Sequence, residues 1–524
     1  MGIYRNNGFM KSLFVRLSFV MCLLLILLFF AAKKLRGRPE LLYLACAVSM
    51  GLVFSFMTPP WTISDERTHV DTVYMVSNSL LGITDTPGPE KMYKRACDID
   101  MSMNYTMPIT TARYRAVESG LFAPASSVHF AGESSTSSGN GLELTACFAE
   151  TSLANVSILC YLPSAVGFTI ARLLGRNMIT MFMAARWVNV LVCSLIISFA
   201  VKRIPYGGAC LAAIALFPKT LQQIASCSYD GVVIAGTFLF IAYCIAADYD
   251  RRFSITDLLV LFLSGFFVAS SKGGTYVPLL GIALMIPFTA KKLHRENIEL
   301  QSVWKGITAA LLGSCAVLFF GKFVGLVFGM LTRQSGTAVY GAGVSERTLY
   351  SLSDLISSPG KLIDLFLNTV NVRGDGLISE MVGKNLCQRW YLVFAFLFLA
   401  FLGILHERKS GDGIERETVS DQKSQHTLPC HINMGGRVWL LFLAASSTAL
   451  VFLSMLVAFT TKGAAYIEGI QGRYLLPIIP LVYLAAENRV LSREGIRDDH
   501  ILYAEACLLA LTFSQILLYY FGGI

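Results

Sequence analysis

The sequence predicts an all-α protein, a polytopic bundle of transmembrane helices, and three observations carry that reading. Of its 524 residues 54% are hydrophobic and only 15% are charged, with a mean hydropathy of +0.58. A soluble domain carries about 25% charged residues. The apolar residues fall in continuous runs of about spanning length, not in the alternating pattern of a membrane β-barrel. Short basic clusters separate the runs, as the positive-inside rule expects of cytoplasmic loops. The net charge of +9 follows from those loops, so the expected partner is the lipid bilayer and not nucleic acid.

Taken in order, the apolar segments lie near residues 13–32, 40–57, 156–174, 178–200, 207–227, 230–248, 255–270, 275–290, 304–330, 389–406, 438–460, 473–488 and 500–522. The first is followed by Lys33-Lys34-Leu35-Arg36-Gly37-Arg38 and by no small-residue cleavage site. It reads as a retained helix and not as a signal peptide. Residues 1–39 are thus an extra N-terminal helix with a basic loop, residues 40–490 the transmembrane core, and residues 491–524 a C-terminal helix. Placing the basic clusters at Lys33–Arg38, Lys202-Arg203, Arg251-Arg252, Lys291–Arg295 and Arg489–Arg497 in the cytoplasm puts residues 58–150 and 331–388 outside. The N-terminus is then outside as well, despite Arg5, Lys11 and Arg16. Only one of the segments 156–174 and 178–200 can cross under that scheme. Pro163 and Gly167 mark the former as re-entrant, which leaves about twelve crossings and one ambiguous segment.

The outer loop 58–150 holds six basic against eleven acidic residues. Its stretch Gly132–Gly141 is rich in Ser and Gly and reads as flexible. The Leu/Ile spacing of Leu352–Leu367 suits a helix lying at the interface. The loop 407–437 balances five basic with five acidic residues and reads as a plain cytoplasmic connector. The 13 cysteines sit mostly in apolar runs and form no CxxC pair, so no zinc ribbon is indicated. Cys97 and Cys147 share the 58–150 loop, where an extracytoplasmic location would let them pair.

Three constellations could carry chemistry. After Pro59-Pro60, Ser64 can cap a helix beginning at Asp65, which sets Asp65, Glu66 and His69 within one turn of each other. Neighbouring carboxylates near a low-polarity interface can serve as a general base toward a hydroxyl. Asp and His at this spacing could instead hold a divalent metal ion, or the acids simply complement a helix dipole. Gly469-Ile470-Gln471-Gly472-Arg473-Tyr474 opens a second site, where an Arg beside backbone amides is a phosphate clamp; the alternative is an interfacial Arg/Tyr anchor. The third pairs Ser226-Cys227-Ser228-Tyr229-Asp230 with Lys272, as site acid and phosphate-binding cation or as helix cap and snorkelling cation. Lys322, mid-segment, needs a partner or a cavity. Far apart in sequence, Asp65, Glu66, His69, Asp230, Lys272, Gln471, Arg473 and Tyr474 all come to one depth, the outer interface.

In this order Pro60, Asp65-Glu66…His69, Tyr161-Leu162-Pro163, Arg186-Trp187-Val188-Asn189, Pro218…Ser226–Asp230, Lys272 with Tyr276-Val277-Pro278, and Gln471-Gly472-Arg473-Tyr474…Pro477 resemble the bacterial membrane-protein family called domain of unknown function 2142. The likeness spans roughly residues 40–490. Here Trp61-Thr62-Ile63-Ser64 separates Pro60 from the acids that directly follow proline in that family. The family is similar in layout to the GT-C class of glycosyltransferases. The resemblance implies a catalytic carboxylate in the first outer loop, with Asp65 as base and Glu66 as its partner. It further implies Arg473 and Lys272 on a donor phosphate, Asp230 lining the site, and His69 orienting substrate or binding metal.

The function expected from the resemblance is transfer of a sugar from a polyprenyl-phosphate donor to a glycan or lipid acceptor of the cell envelope. It would occur on the outer face of a bacterial cytoplasmic membrane, with no certain cofactor beyond a divalent metal that the acids could bind. The alternative is a transporter, flippase or polymerase partner for envelope polysaccharide, which would favour polar groups near the bilayer midplane.

Overall fold

A computed structural model describes residues 8–88, 90–103, 110–125, 142–153, 156–249, 254–285, 337–338, 347–350, 352–386, 389–408, 432–487 and 491–522. Helices dominate them, and the protein is an all-α membrane protein as the hydropathy requires. Among the described residues seven helices are long and apolar enough to cross a membrane. They lie within α1 (Gly8–Lys34), α2 (Pro39–Met57), α7 (Met178–Arg203), α10 (Asp230–Tyr249), α11 (Ile255–Ser270) together with the 3-10 turn Ser271–Gly274 that follows it, α15 (Met434–Phe459) and α17 (Asp498–Gly522). Between them come α3 (Glu66–Leu80), α4 (Ala96–Met103), α5 (Thr110–Gly120), α6 (Leu162–Leu173), α8 (Gly208–Ala215) and α9 (Pro218–Ile224). Later in the chain come α12 (Leu352–Ser357), α13 (Pro359–Val382), α14 (Trp390–Ile404) and α16 (Ile479–Ala485).

Among the described residues five of the apolar runs are not single spanning helices; one of them, 389–406, is the 15-residue α14, too short to count among the seven. The run 156–174 yields a 3-10 turn, Ile158–Cys160, and α6, whose 12 residues reach only about 18 Å against a hydrocarbon core of about 30 Å. The run 207–227 breaks into α8 and α9 because Pro218 has no N–H to donate and clashes with the preceding turn. Just before the run 275–290 Gly274 adopts a φ of +84°, and within the run the chain forms a 3-10 stretch, Val277–Met285. In the run 473–488 a 3-10 turn, Gly472–Leu475, precedes α16, with Pro477 and Pro480 limiting the helix. The run 304–330 with Lys322, the stretch 132–141 and most of the loop 407–437 lie outside the described residues.

The core centres on α7 and α10, which pack on each other and, through α7, on α2 and α6. Of the spanning stretch of α10, 83% is buried, against 11% for α1, which lies at the periphery against α2 and α17. Close crossings need small residues. At Gly167 a Cβ would stand 2.4 Å from the Ala184 carbonyl oxygen of α7. The helix expected at the interface is present as α12 and α13, with Ile363, Leu367, Val370 and Val372 exposed and Leu365, Leu377 and Met381 buried.

The region after α2 folds as a cap held by buried charges. β1 (Lys91–Arg95) pairs antiparallel with β2 (Leu144–Phe148). Lys94 meets Asp71 at 2.6 Å and Arg95 meets Asp98 at 2.7 Å, all four buried. Arg172 of α6 donates to Asn78 of α3 at 2.7 Å. Cys97 and Cys147 are free thiols here. Cys147 stands opposite Met92, five residues before Cys97.

Replacing Gly167 by Val should force α6 off α7, with a stability loss of about 1–3 kcal/mol from overpacking. Thermal unfolding in detergent reads this, and an unchanged midpoint would mean that the α6–α7 crossing is not close.

Candidate functional site

The chain leaves α2 with its last carbonyls unpaired, as every helix end must, and three side chains collect them. Arg186 of α7 donates to the carbonyls of Ser55 at 3.0 Å and Thr58 at 2.7 Å. Tyr114 donates to Met57 O, and Arg113 to Pro60 O at 3.0 Å. The second arm of Arg186 meets Glu66 at 2.5 Å, with neither side chain more than 1% exposed. The other oxygen of Glu66 accepts from the Trp61 N–H at 2.9 Å. The four residues Trp61–Ser64 therefore form a turn hooked back onto Glu66, with Trp61 beside Phe182 at 5.5 Å. Glu66, paired with Asp65 in the sequence reading, is a strut: both its oxygens are taken up inside the protein.

That strut sets Asp65. Helix α3 starts at Glu66 and not at Asp65, and Asp65 takes the position before it with φ +59° and no side-chain cap. Ser64 is not the cap. A left-handed conformation costs a non-glycine residue about 1–2 kcal/mol. Among the described residues five non-glycines adopt positive φ, and three of them, Trp61, Asp65 and Lys272, surround this site. Backbone strain concentrated in this way is a mark of a functional site. The result here is an Asp65 carboxylate that is 63% exposed and only 3.1 Å from Arg473.

Arg473 is the hub. Its side chain is 2% exposed, and it spreads its nitrogens over two acids: Nη2 toward Asp65, and Nε toward Asp230 at 3.2 Å. Nε and Nη1 are both buried and make no hydrogen bond, Nε meeting Asp230 only as an ion pair, and among the described residues Nη1 faces no acid. Asp230, the first residue of α10, also faces Lys272 at 3.6 Å. The Lys272 ammonium lies 3.4 Å above the Tyr474 ring and is buried, without a hydrogen bond. Gln471 lends the turn its carbonyl, which accepts from Tyr474 N at 3.1 Å. Gly472 is required here, because a Cβ would stand 2.3 Å from Leu377 O of α13. Residues from positions 65, 230, 272 and 473 thus converge, as the topology predicted.

His69 completes one wall. Its Nδ1 lies 2.9 Å from the Tyr161 hydroxyl, its ring is edge-on to Tyr229 at 5.2 Å, and its Nε2 is buried without a partner. Burial, and secondarily the Arg473 charge, lowers its pKa to about 4. The imidazole is therefore neutral at pH 7 and able to accept or donate one hydrogen bond from Nε2. Among the described residues no three His, Cys, Asp or Glu side chains converge as a metal-binding set. Between Asp65 and Asp230 stands the Arg473 guanidinium.

The sequence shows Arg186 and Asn189 only as part of the family motif and assigns neither a role, yet they form the post that holds both halves of the site. On α7, Arg186 grips the Glu66 turn, and Asn189, one turn on, donates to the carbonyls of Ile224 and Ser226 at 3.1 and 3.0 Å. An arginine inside an apolar run demands a buried partner, and that signal was present at Arg186. A family model described as a predicted membrane protein, DUF2142, matches residues 46–482. No curated protein and no solved structure matches the chain.

Removing one partner of the strut, as in Arg186→Leu, should cost about 3–5 kcal/mol by leaving Glu66 charged and buried. Thermal unfolding of the purified protein checks this, and a loss below 1 kcal/mol would contradict the strut. His69 predicts a pH dependence. The folded ring takes a proton only near pH 4, the unfolded ring near 6.5, so stability rises with pH across that window and falls on acidification. In His69→Gln the slope of denaturant stability between pH 4.5 and 6.5 should be shallower than in the wild type; an equal slope would rule the effect out.

Proposed function

The chain belongs to the DUF2142 family of predicted membrane proteins, and from the site built around Asp65 and Arg473 we propose that it is a GT-C-like glycosyltransferase. Its donor is a polyprenyl-phosphate-linked sugar and its acceptor a cell-envelope glycan or lipid, and transfer takes place at the outer face of a bacterial cytoplasmic membrane. One observation carries the reading. An exposed carboxylate stands 3.1 Å from a buried arginine whose third nitrogen is unpartnered, so a base and an anion site lie side by side.

In this mechanism the acceptor hydroxyl attacks the anomeric carbon of the donor sugar as Asp65 takes its proton. The new bond joins the acceptor oxygen to that carbon, and the bond from the carbon to the phosphate oxygen breaks with its electron pair on the phosphate. Arg473, through Nη1, and Lys272 hold that leaving phosphate by charge-assisted hydrogen bonds. Asp230 does not react. It faces both cations and keeps them from spreading apart. His69, neutral and with Nε2 unpartnered, offers a hydrogen bond to a sugar hydroxyl. Attack opposite the leaving group inverts the anomeric centre.

The test is lipid-linked glycan analysis of a deletion strain complemented with variants. Asp65→Asn should lower transfer by about 100-fold or more, the scale of lost general-base catalysis, while the protein still accumulates in the membrane. Wild-type glycan from cells carrying only Asp65→Asn would end the proposal.

A further inference from the structure

The guanidinium of Arg473 is planar, and two of its three nitrogens face Asp65 and Asp230. Where the third nitrogen, Nη1, points is then settled by where the backbone places the Arg473 Cα. That backbone runs through the 3-10 turn Gly472–Leu475, and the residue before it, Gln471, makes no side-chain cap. The first N–H of such a turn has no partner inside it. A turn this short also has too few bonds of its own to hold its shape.

Two residues that the mechanism does not use supply what the turn lacks. Glu380, in α13, accepts from the Gly472 N–H at 3.3 Å. Tyr276, 1% exposed, donates its hydroxyl to the Tyr474 carbonyl at 3.1 Å. The two bonds bracket Arg473, one on the residue before it and one on the residue after it. On the near side the fit is close. At Gly472 a Cβ would stand 2.3 Å from Leu377 O and 2.4 Å from Met381 N, so backbone lies directly on backbone. About three turns earlier on the same face of α13, the buried Thr369 accepts from the Ile467 N–H at 2.8 Å and holds the segment that leads into the turn. The other oxygen of Glu380 accepts from Arg373 at 3.3 Å, which fixes the carboxylate in place.

We infer that Glu380 and Tyr276 are positioning residues, which hold the Arg473 backbone so that Nη1 stays aimed at the phosphate it is to bind. The inference rests on the transferase reading for that phosphate; the restraint on Arg473 is a property of the fold. An effect of Glu380 through its charge would have the opposite sign. Glu380 is negative and lies near enough to Lys219 to act on its charge. Deleting it makes the surroundings of Arg473 more positive and by itself favours an anion. Deleting a positioning residue weakens the anion site instead, because a misplacement of about 1 Å can cost roughly 100-fold.

Two measurements on the full chain in nanodiscs test this. Titration with inorganic phosphate reads the anion site. There Glu380→Ala should weaken binding about tenfold and Tyr276→Phe about threefold. Glu380→Gln keeps an acceptor for the Gly472 N–H and should bind phosphate at least as tightly as the wild type. Labelling with phenylglyoxal, followed by mass spectrometry, reads the arginine itself. Arg473, 2% exposed, should label about fivefold faster or more in Glu380→Ala and in Tyr276→Phe than in the wild type. Arg203, at the other end of α7, should label at an unchanged rate. Phosphate binding in Glu380→Ala as tight as in the wild type, or tighter, would leave only an effect of charge and overturn the inference. Unchanged Arg473 labelling in both variants would overturn it too, and so would a matching rise at Arg203, the sign of general loosening. A wild type that binds no phosphate would count against the transferase reading, and faster labelling of Arg473 would still uphold the restraint on its backbone.

Discussion

The Arg186–Glu66 pair, buried among apolar helices, is the contact on which the rest of the site depends. Each partner alone would be a charge in a poorly polarisable interior, and such a charge costs several kcal/mol. Together they also collect the helix-end carbonyls of α2 and the N–H of Trp61. The arginine lies eight residues into α7, about 12 Å along its axis, so the turn after α2 is drawn down between helices and does not float above them. Asp65 is exposed because Glu66, its neighbour, is not.

A division of labour between adjacent acids explains why the two cannot exchange roles. Glu66 is spent on geometry, and Asp65 is left facing Arg473 with a free oxygen. The cluster beyond it is balanced: Asp65 and Asp230 carry two negative charges, Arg473 and Lys272 two positive. A neutral cluster can be buried, yet Arg473 Nη1, Lys272 Nζ and His69 Nε2 are left without hydrogen-bond partners. Groups of that kind carry a desolvation cost that a polar ligand repays.

The fold class was legible because hydropathy is a sum over many residues and tolerates local error. The convergence of Asp65, Asp230, Lys272 and Arg473 was legible too, since alternating crossings return distant loops to one level. Helix continuity was not. Pro218 and Pro477 interrupt runs whose hydropathy is unbroken, and hydropathy cannot register a missing N–H. The separate fates of Asp65 and Glu66 were also hidden, because adjacency in sequence says nothing about which carboxylate meets an arginine 120 residues away. Lys219, buried in the fold, was absorbed into the apolar average of its run.

The break between α8 and α9 bears on how the protein is made. Segments of 8 and 7 residues are too short to span and leave backbone groups unpaired at the junction, where Thr220 returns a hydrogen bond to Ile214 O at 2.9 Å. Lipid offers no substitute for such bonds, so irregular backbone is tolerated at that depth only within protein. This broken helix therefore cannot leave the insertion machinery as an independent hydrophobic unit. It has to wait for α2 and α7 before it and α10 and α14 after it to close around it. Membrane integration and tertiary folding are in this stretch one event, and the last third of the chain is needed before its middle is at rest.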